Sequence, residues 1–529
     1  MSIKSNNIIF LNNISNIIKT FLKNKVSFPT LANPGTADDL AYGKQLYDSN
    51  GNIVTGTYGQ YIYSIFNRTI TEYSNNTISS LKSYAFYGCS SLTSVSLPEC
   101  TYIGEEAFYS CTSLTSVSFP VCTDIGSHAF RYCTSLTSVS FPVCNYIGPQ
   151  VFRYCYSLTS VYFPACTSID YYAFYYCSNL TSVSFPVCSY IGEEAFYCCS
   201  NLTTVSFPAC SYIGEEAFYS CTSLTYVSFP ACTDIGGYAF FGCTSLTTVR
   251  FPKCTSIGEC AFVSCSYITS ASFPACREIG EYAFSSCTYL TSANFPVCTS
   301  IGSSAFCRCR SLSYANFPVC TSIGSHAFRD CDSLTSVNFP SCTYIGSSAF
   351  GFCRLLSSIS FPVCSYIGSY AFNGCSSLTS ANFPVCSYIG EQAFWHADNL
   401  ASVNFPACTT IKDNAFQYCS SLTSVSFPVC TSIGGYTFYS CINLASVSFP
   451  KCTSIGIYAF QYCSSLTSLT LGASSVCTLG NIATFDSTPM SKSTYTGSYG
   501  SIYVPASLVS SYKAATNWVR YSSRITAIV

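Results

Sequence analysis

Three histidines, His128, His326 and His396, are the only side chains in this 529-residue chain that would be neutral bases near pH 7 without help from their surroundings. His128 and His326 occupy equivalent positions of an internal 22-residue repeat, nine repeats apart. At a stacking distance of about 4.8 Å per layer they would stand about 43 Å apart. His396 lies in a third repeat, so no two histidines can share a metal ion, and no spacing sets one beside both a serine nucleophile and an orienting carboxylate. Carboxylates are the other acid–base option. Glu193, Glu194, Glu215 and Glu216 fall on consecutive layers about 5 Å apart, near the separation of a retaining glycosidase pair. Other repeats hold Ser-His, Pro-Gln, Tyr-Tyr or Gly-Tyr at the same two positions, which is the pattern of a solvated face. The residues thus point away from an enzyme, and neither a cofactor nor a metal is expected.

Chemistry suited to recognition is better represented. Trp395, one of two tryptophans, is followed by His396 and then, after Ala397, by Asp398. The 22-residue register sets Trp395 between Asn373 and Gln417, and His396 between Gly374 and Tyr418. An aromatic face beside a glycine gap, with amides on both sides, suits stacking against a sugar ring. The alternative is that Ala397 leaves room and Trp395 folds back into it. Tyrosine occurs 43 times, often just after an Ala-Phe pair, as at Tyr109, Tyr132, Tyr154, Tyr175, Tyr197 and Tyr219. Tyrosine gives rigid amphipathic contact area at little entropic cost; repetition alone would enrich it equally. Tyr162, Tyr226 and Tyr314 interrupt files of small hydroxyl residues such as Ser94, Ser116 and Ser138, joined later by Asn294, Asn316 and Asn338. Such a face suits a polar ligand such as a glycan, or is simply a soluble strand surface.

The elements that carry these residues follow from one period. Phe recurs every 22 residues from Phe86 to Phe460, giving 18 copies, and self-similarity at that period specifies a solenoid. In the copy after Cys111, the run Val117, Ser118, Phe119 alternates apolar and polar as a strand does, with Val117 and Phe119 inward and Ser116 and Ser118 outward. Pro120 ends it because it has no N–H for a ladder. Ile125-Gly126 marks a second short extended piece, and Ala129, Phe130 and Cys133 fit one helical turn. A finer period of 11 places cysteine at 34 of the 35 positions from Cys89 to Cys463, Ala397 being the exception. Each follows a Phe or Leu by three in almost every case, which predicts interior corners filled by free thiols, since free Cys packs as a small hydrophobe. Cys198, Cys260, Cys307 and Cys477 lie off this lattice and are expected to react first.

The string IGxxAFxxCxSLTSVxFPxC resembles the BspA-type leucine-rich repeats of bacterial and protist surface proteins over about residues 78–471. The resemblance implies a leucine-rich-repeat solenoid, with one parallel strand, a short extended piece and a helical turn per coil. It also implies adhesion or partner recognition without catalysis. The 22-residue coil and the regular Cys after Pro depart from the family pattern and leave the ligand open.

Outside the repeats, residues 1–30 form one segment, in which Phe10, Ile14, Ile17 and Phe21 share a helical face. Lys4, Lys19, Lys23 and Lys25 accompany them with no acid among residues 1–28. This is an oligomerising or docking helix, a disordered tail or a membrane-surface helix, and residues 1–28 offer a route to a homo-oligomer. Residues 31–58 carry Asn50-Gly51 between two short extended runs, a type I′ hairpin signal; residues 36–58 are similar to a module of phage tail-fibre and tail-associated proteins. Residues 59–80 read as a capping coil, 81–471 as the solenoid and 472–529 as a C-terminal cap, with a strand at 501–505 and a closing helix through Tyr512 and Trp518. A formal charge of −1 argues against nucleic acid, and no run reaches the length of a membrane span. No secretory signal is evident. The composite expectation is a recognition protein for a cell-surface glycan or protein, made in the cytoplasm and carried on a virion or cell surface. A phage-tail attachment protein is the first form, a bacterial adhesin or an intracellular scaffold the alternatives.

Overall fold

The computed structural model describes residues 46–47, 53–54, 70–491 and 500–528. The chain divides into two compact units, Met1–Tyr63 and Ser64–Val529. In the first, Leu46–Tyr47 pairs antiparallel with Ile53–Val54; the helix expected over 1–30 lies outside the described residues.

The second unit is a parallel β-solenoid. Each coil contributes a three-residue strand such as Ser116–Ser118 and a two-residue strand such as Asp124–Ile125. The short strands stack in one uninterrupted file from Ser80–Leu81 to Thr478–Leu479, each pairing in parallel with the next coil's equivalent. The longer strands form several sheets. The file opens, for instance, between Ser116–Ser118 and Ser138–Ser140 and between Ser336–Asn338 and Ser358–Ser360. Rings are widely spaced at these openings, 5.9 Å for Phe119 and Phe141 and 6.0 Å for Phe339 and Phe361, against 5.2 Å for Phe295 and Phe317 within a sheet, although Phe163 and Phe185 inside a sheet also stand 6.0 Å apart.

Two ladders of phenylalanine fill the interior. The Ala-Phe ring of each coil stacks nearly parallel on the next, as Phe284 does on Phe306 at 5.2 Å. The strand-end ring meets it edge-on, as Phe295 meets Phe306 at 5.9 Å. Both arrangements suit the ring quadrupole.

The helical turn expected after Ile-Gly is not formed. Arg131 N–H donates to the His128 carbonyl at 3.0 Å and Cys133 N–H to that of Phe130 at 3.1 Å. Between these turns His128 and Tyr132 take left-handed backbone angles, φ 60° and 63°. Their N–H groups instead point along the stack, to the Pro149 carbonyl at 3.0 Å and the Arg153 carbonyl at 2.9 Å. An L-residue in that conformation costs roughly 1–2 kcal/mol, offset here by a bond to the next coil that a helix would spend within itself. The Gly of each Ile-Gly pair is a close-approach position: a Cβ on Gly324 would lie 2.6 Å from the Gly302 carbonyl carbon.

Hydroxyls and thiols complete the stack. Thr115 Oγ1 donates to the Thr93 carbonyl one coil earlier at 2.9 Å, and Thr123 Oγ1 to that of Thr101 at 3.2 Å. Cys133 Sγ donates to the Phe108 carbonyl at 3.1 Å, while Cys144 Sγ donates to that of Tyr146 in its own coil at 3.1 Å. The small polar residues of the repeat are therefore partly a backbone-satisfying spine.

All 38 cysteines are free thiols. Cys477, expected among the first to react, is fully buried. Its Sγ lies 3.9 Å from that of Cys452, because Thr478–Leu479 stacks in register on Ser454–Ile455, and Phe485 prolongs the inner ladder on Phe460 at 5.5 Å. An insertion had only shifted its number off the lattice. Cys260 is buried as well, leaving Cys198 and Cys307 half-exposed. Brief alkylation of the native protein should therefore label Cys198 and Cys307 and few others, with all 38 labelled after unfolding without reductant. Mass spectrometry showing broad native labelling would contradict this packing.

The solenoid ends under a cap. Ser501–Val504 and Ile525–Ala527 extend the long-strand file. The helix runs Val509–Ala514 and stops before Trp518. Tyr512 and Trp518 are fully buried; Tyr512 OH accepts the Cys477 N–H at 2.9 Å and Trp518 Nε1 donates to the Cys477 carbonyl at 2.7 Å.

Candidate functional site

Pleating decides what the long-strand face presents. In Ser138–Ser140 the outer serines are exposed and Val139 is buried. Tyr162, Tyr226 and Tyr314 rise from this face, 53%, 37% and 43% exposed. Each is isolated among small residues: Tyr162 pairs with Ser140 and Ser184, Tyr226 with Thr204 and Thr248, and Tyr314 with Ser292 and Ser336. Asn316 and Asn338 donate through Nδ2 to Asn294 and Asn316 at 2.9 and 2.8 Å, an amide ladder along the face. The face also bears an open depression of about 440 Å³ lined by Glu72, Tyr73, Ser96 and Ser118, among others.

The Trp395 cluster lies elsewhere, on the turn corner after the Ala-Phe pair, so the structure does not bring it together with Tyr162, Tyr226 or Tyr314. Trp395 is half-buried, and its ring meets that of His396 edge-on at 4.3 Å. His396 stacks on Tyr418 at 4.5 Å and its Nδ1 is 3.2 Å from Asp398 Oδ1. The expected glycine gap is closed: a Cβ on Gly374 would meet the Phe352 ring at 2.7 Å. One coil before Trp395, Asn373 is buried at 7% exposure, and its Oδ1 has no donor among the described residues. The sequence named Asn373 as a flanking amide; its orphaned acceptor shows only in the packed structure.

One cluster escaped the sequence argument, which set the histidines against one another and against a Ser-His-Asp arrangement but not against the glutamates one repeat away. Glu105, Glu106 and His128 hold potential ligand atoms all within 4.8 Å, because Glu106 precedes His128 by one 22-residue step. Burial and then the neighbouring Arg131 lower the His128 pKa, which favours the neutral ligand form. The set could hold a divalent cation, although the Arg131 charge opposes one.

The second missed feature is continuity. The tyrosines after the Ala-Phe pairs stack into a ladder: Tyr132–Tyr154 at 4.7 Å, Tyr175–Tyr197 at 4.8 Å, Tyr197–Tyr219 at 4.7 Å and Tyr219–Phe241 at 4.8 Å. Arg131 and Arg153 are interleaved, with the Arg153 guanidinium 4.4 Å from the Tyr175 ring centre. The 22-residue register could have revealed this, had the two positions after Phe been read as one file.

A solenoid of stacked 22-residue coils, each adding a parallel strand to the same face, defines a leucine-rich-repeat protein. The family model of the BspA type leucine rich repeat region matches residues 59–181, 145–269, 211–319, 299–422 and 387–506, and the chain belongs to that family. Among solved structures, it is similar to a leucine-rich repeat protein from Bacteroides ovatus, at 21% identity over 76% of this chain and 87% of that one, TM-score 0.33. It is likewise similar to a leucine rich cell surface protein from Faecalibacterium prausnitzii, at 21% identity over 81% and 93%, TM-score 0.30. No curated protein matches the chain. No helix among the described residues is long and apolar enough to cross a membrane.

Proposed function

We propose that the chain is a non-enzymatic recognition protein that binds a glycan of a cell surface through the Trp395 corner. The observation that carries this reading is the cluster of Trp395, His396 and Tyr418 beside the buried, donor-less Oδ1 of Asn373. A buried acceptor without a partner costs roughly 1–3 kcal/mol, and a small opening of the corner on binding would let a ligand hydroxyl recover it while the rings supply apolar contact. Asp398 orients His396 and adds an acceptor. The long-strand hydroxyl face with Tyr162, Tyr226 and Tyr314 offers a second polar surface for a longer ligand. A phage tail and a bacterial cell surface are both compatible settings. Neighbouring tail and baseplate genes would favour the first.

The two tryptophans make the test direct. Trp518 is fully buried in the cap, so a ligand-dependent change in tryptophan emission reports on Trp395. Titration with a glycan panel should find a binder that shifts this emission, and Trp395→Ala should weaken binding about tenfold or more with the fold retained. Binding that survives Trp395→Ala and falls with Tyr226→Ser and Tyr314→Ser would place recognition on the strand face instead.

A further inference from the structure

The tyrosine ladder has a symmetry in its charges that the recognition reading does not use. Its middle coil, built on Phe174, carries Tyr171, Tyr172, Tyr175 and Tyr176, with Tyr171 and Tyr176 40% and 37% exposed. One and two coils before it stand Arg153 and Arg131. One and two coils after it stand Glu193 with Glu194, and Glu215 with Glu216. The ladder runs from Tyr87, four coils before and stacked on Tyr109 at 4.9 Å, to Phe241, three coils after. Adjacent rings along it are 4.7 to 5.6 Å apart.

Neither guanidinium has an ion pair among the described residues. Arg131 Nη1 and Arg153 Nη1 both donate to Gln150 Oε1, at 2.8 and 2.9 Å, and the Nε of each is buried without a partner. On the acidic side, burial raises the pKa of Glu194, against the lowering pull of a Tyr172 hydrogen bond and of the Arg153 charge, and burial with neighbouring carboxylates raises that of Glu216. Within two coils of Phe174 the arginines thus lie on one side and the glutamates on the other, with Glu105 and Glu106, three coils before, outside that span.

We propose that this corner face binds a second copy of the same chain, antiparallel, about a twofold axis lying in the face at the level of Phe174. The axis sets the coil of Arg153 opposite the coil of Glu194 of the partner subunit, and that of Arg131 opposite that of Glu216 of the partner subunit. The four central tyrosines then meet their own copies. A parallel arrangement would set arginine against arginine and glutamate against glutamate, so charge selects the antiparallel one. An isologous interface of this kind closes on itself and stops at two copies, and aromatics with Arg at its centre are what such interfaces favour. Trp395 lies ten coils from Tyr175, so dimerisation leaves the proposed glycan site free, and each proposal can fail without the other.

The test is sedimentation velocity on the full chain with paired charge reversals. Wild type should sediment as a dimer. Arg131→Glu with Arg153→Glu gives an all-acidic patch, and Glu194→Arg with Glu216→Arg a basic-dominated one. Each should raise the dimer dissociation constant about tenfold or more. Mixed one to one, the two variants should form a heterodimer, since every reversed charge then faces its opposite. Melting of each variant is measured first, and Arg153→Gln with Glu194→Gln serves where a reversal unfolds the chain, with a weakened dimer expected. A wild-type monomer, a dimer indifferent to these changes, or variants that fold yet do not pair on mixing would each overturn the proposal.

Discussion

Alkaline titration of the native protein should show little thiolate absorbance until the solenoid itself unfolds, and then a steep release of thiol protons as the buried thiols reach solvent together. Burial is the cause: it raises the thiol pKa from the ordinary 9.0 to about 12 at Cys122, Cys144 and Cys375 and to about 11 at Cys320 and Cys386. A thiol that ionises less readily when folded keeps its full contribution to stability below about pH 9. That contribution falls as the pH climbs from 9 through the folded value, because the unfolded chain loses protons first. One such group changes stability by at most ~1.4 kcal/mol per pH unit, but about thirty act together. Their combined loss reaches the order of 10 kcal/mol as the pH passes the unfolded value of about 9, the size of an ordinary domain's stability. Thiolate absorbance and circular dichroism should therefore change together between about pH 9 and 10. Thiolate appearing with the circular dichroism unchanged would mean that the corners admit water.

Truncating one interior ring should cost far more than truncating the rarest surface one. Phe306 is fully buried between Phe284 and Phe328, each at 5.2 Å, and meets Phe295 and Phe317 edge-on at 5.9 and 5.8 Å. Phe306→Ala should destabilise by about 3–5 kcal/mol. Coils contact only their neighbours, so the damage should also split the denaturation curve, with the coils on either side unfolding separately. Trp395→Ala, at a half-buried corner, should cost within about 1 kcal/mol. Equal losses in urea denaturation for the two variants would make Trp395 part of the core and remove the basis for its role in recognition.

The period of 22 determined the coil, its strand and the inward Phe and Cys before any coordinates, because a stacked repeat places equivalent residues in register and buries the same side of each. The same arithmetic placed His396 beside Tyr418 and showed that the histidines are far apart. It misjudged the segment between Gly126 and Cys133, where Phe and Cys three apart fit a helix equally well. Left-handed angles at His128 and Tyr132 won there, because each frees an N–H for the coil above, an interaction between coils that no single repeat reveals. Cys477 was misplaced for a related reason: the insertion broke the numbering, while the packing kept the corner. Only the tertiary structure decided which polar groups are spent on the backbone, as Thr115 is, and which are left over, as the Asn373 acceptor and the Arg153 Nε are. Satisfaction of a buried polar group depends on every neighbour that reaches it, and in a solenoid those neighbours belong to other coils.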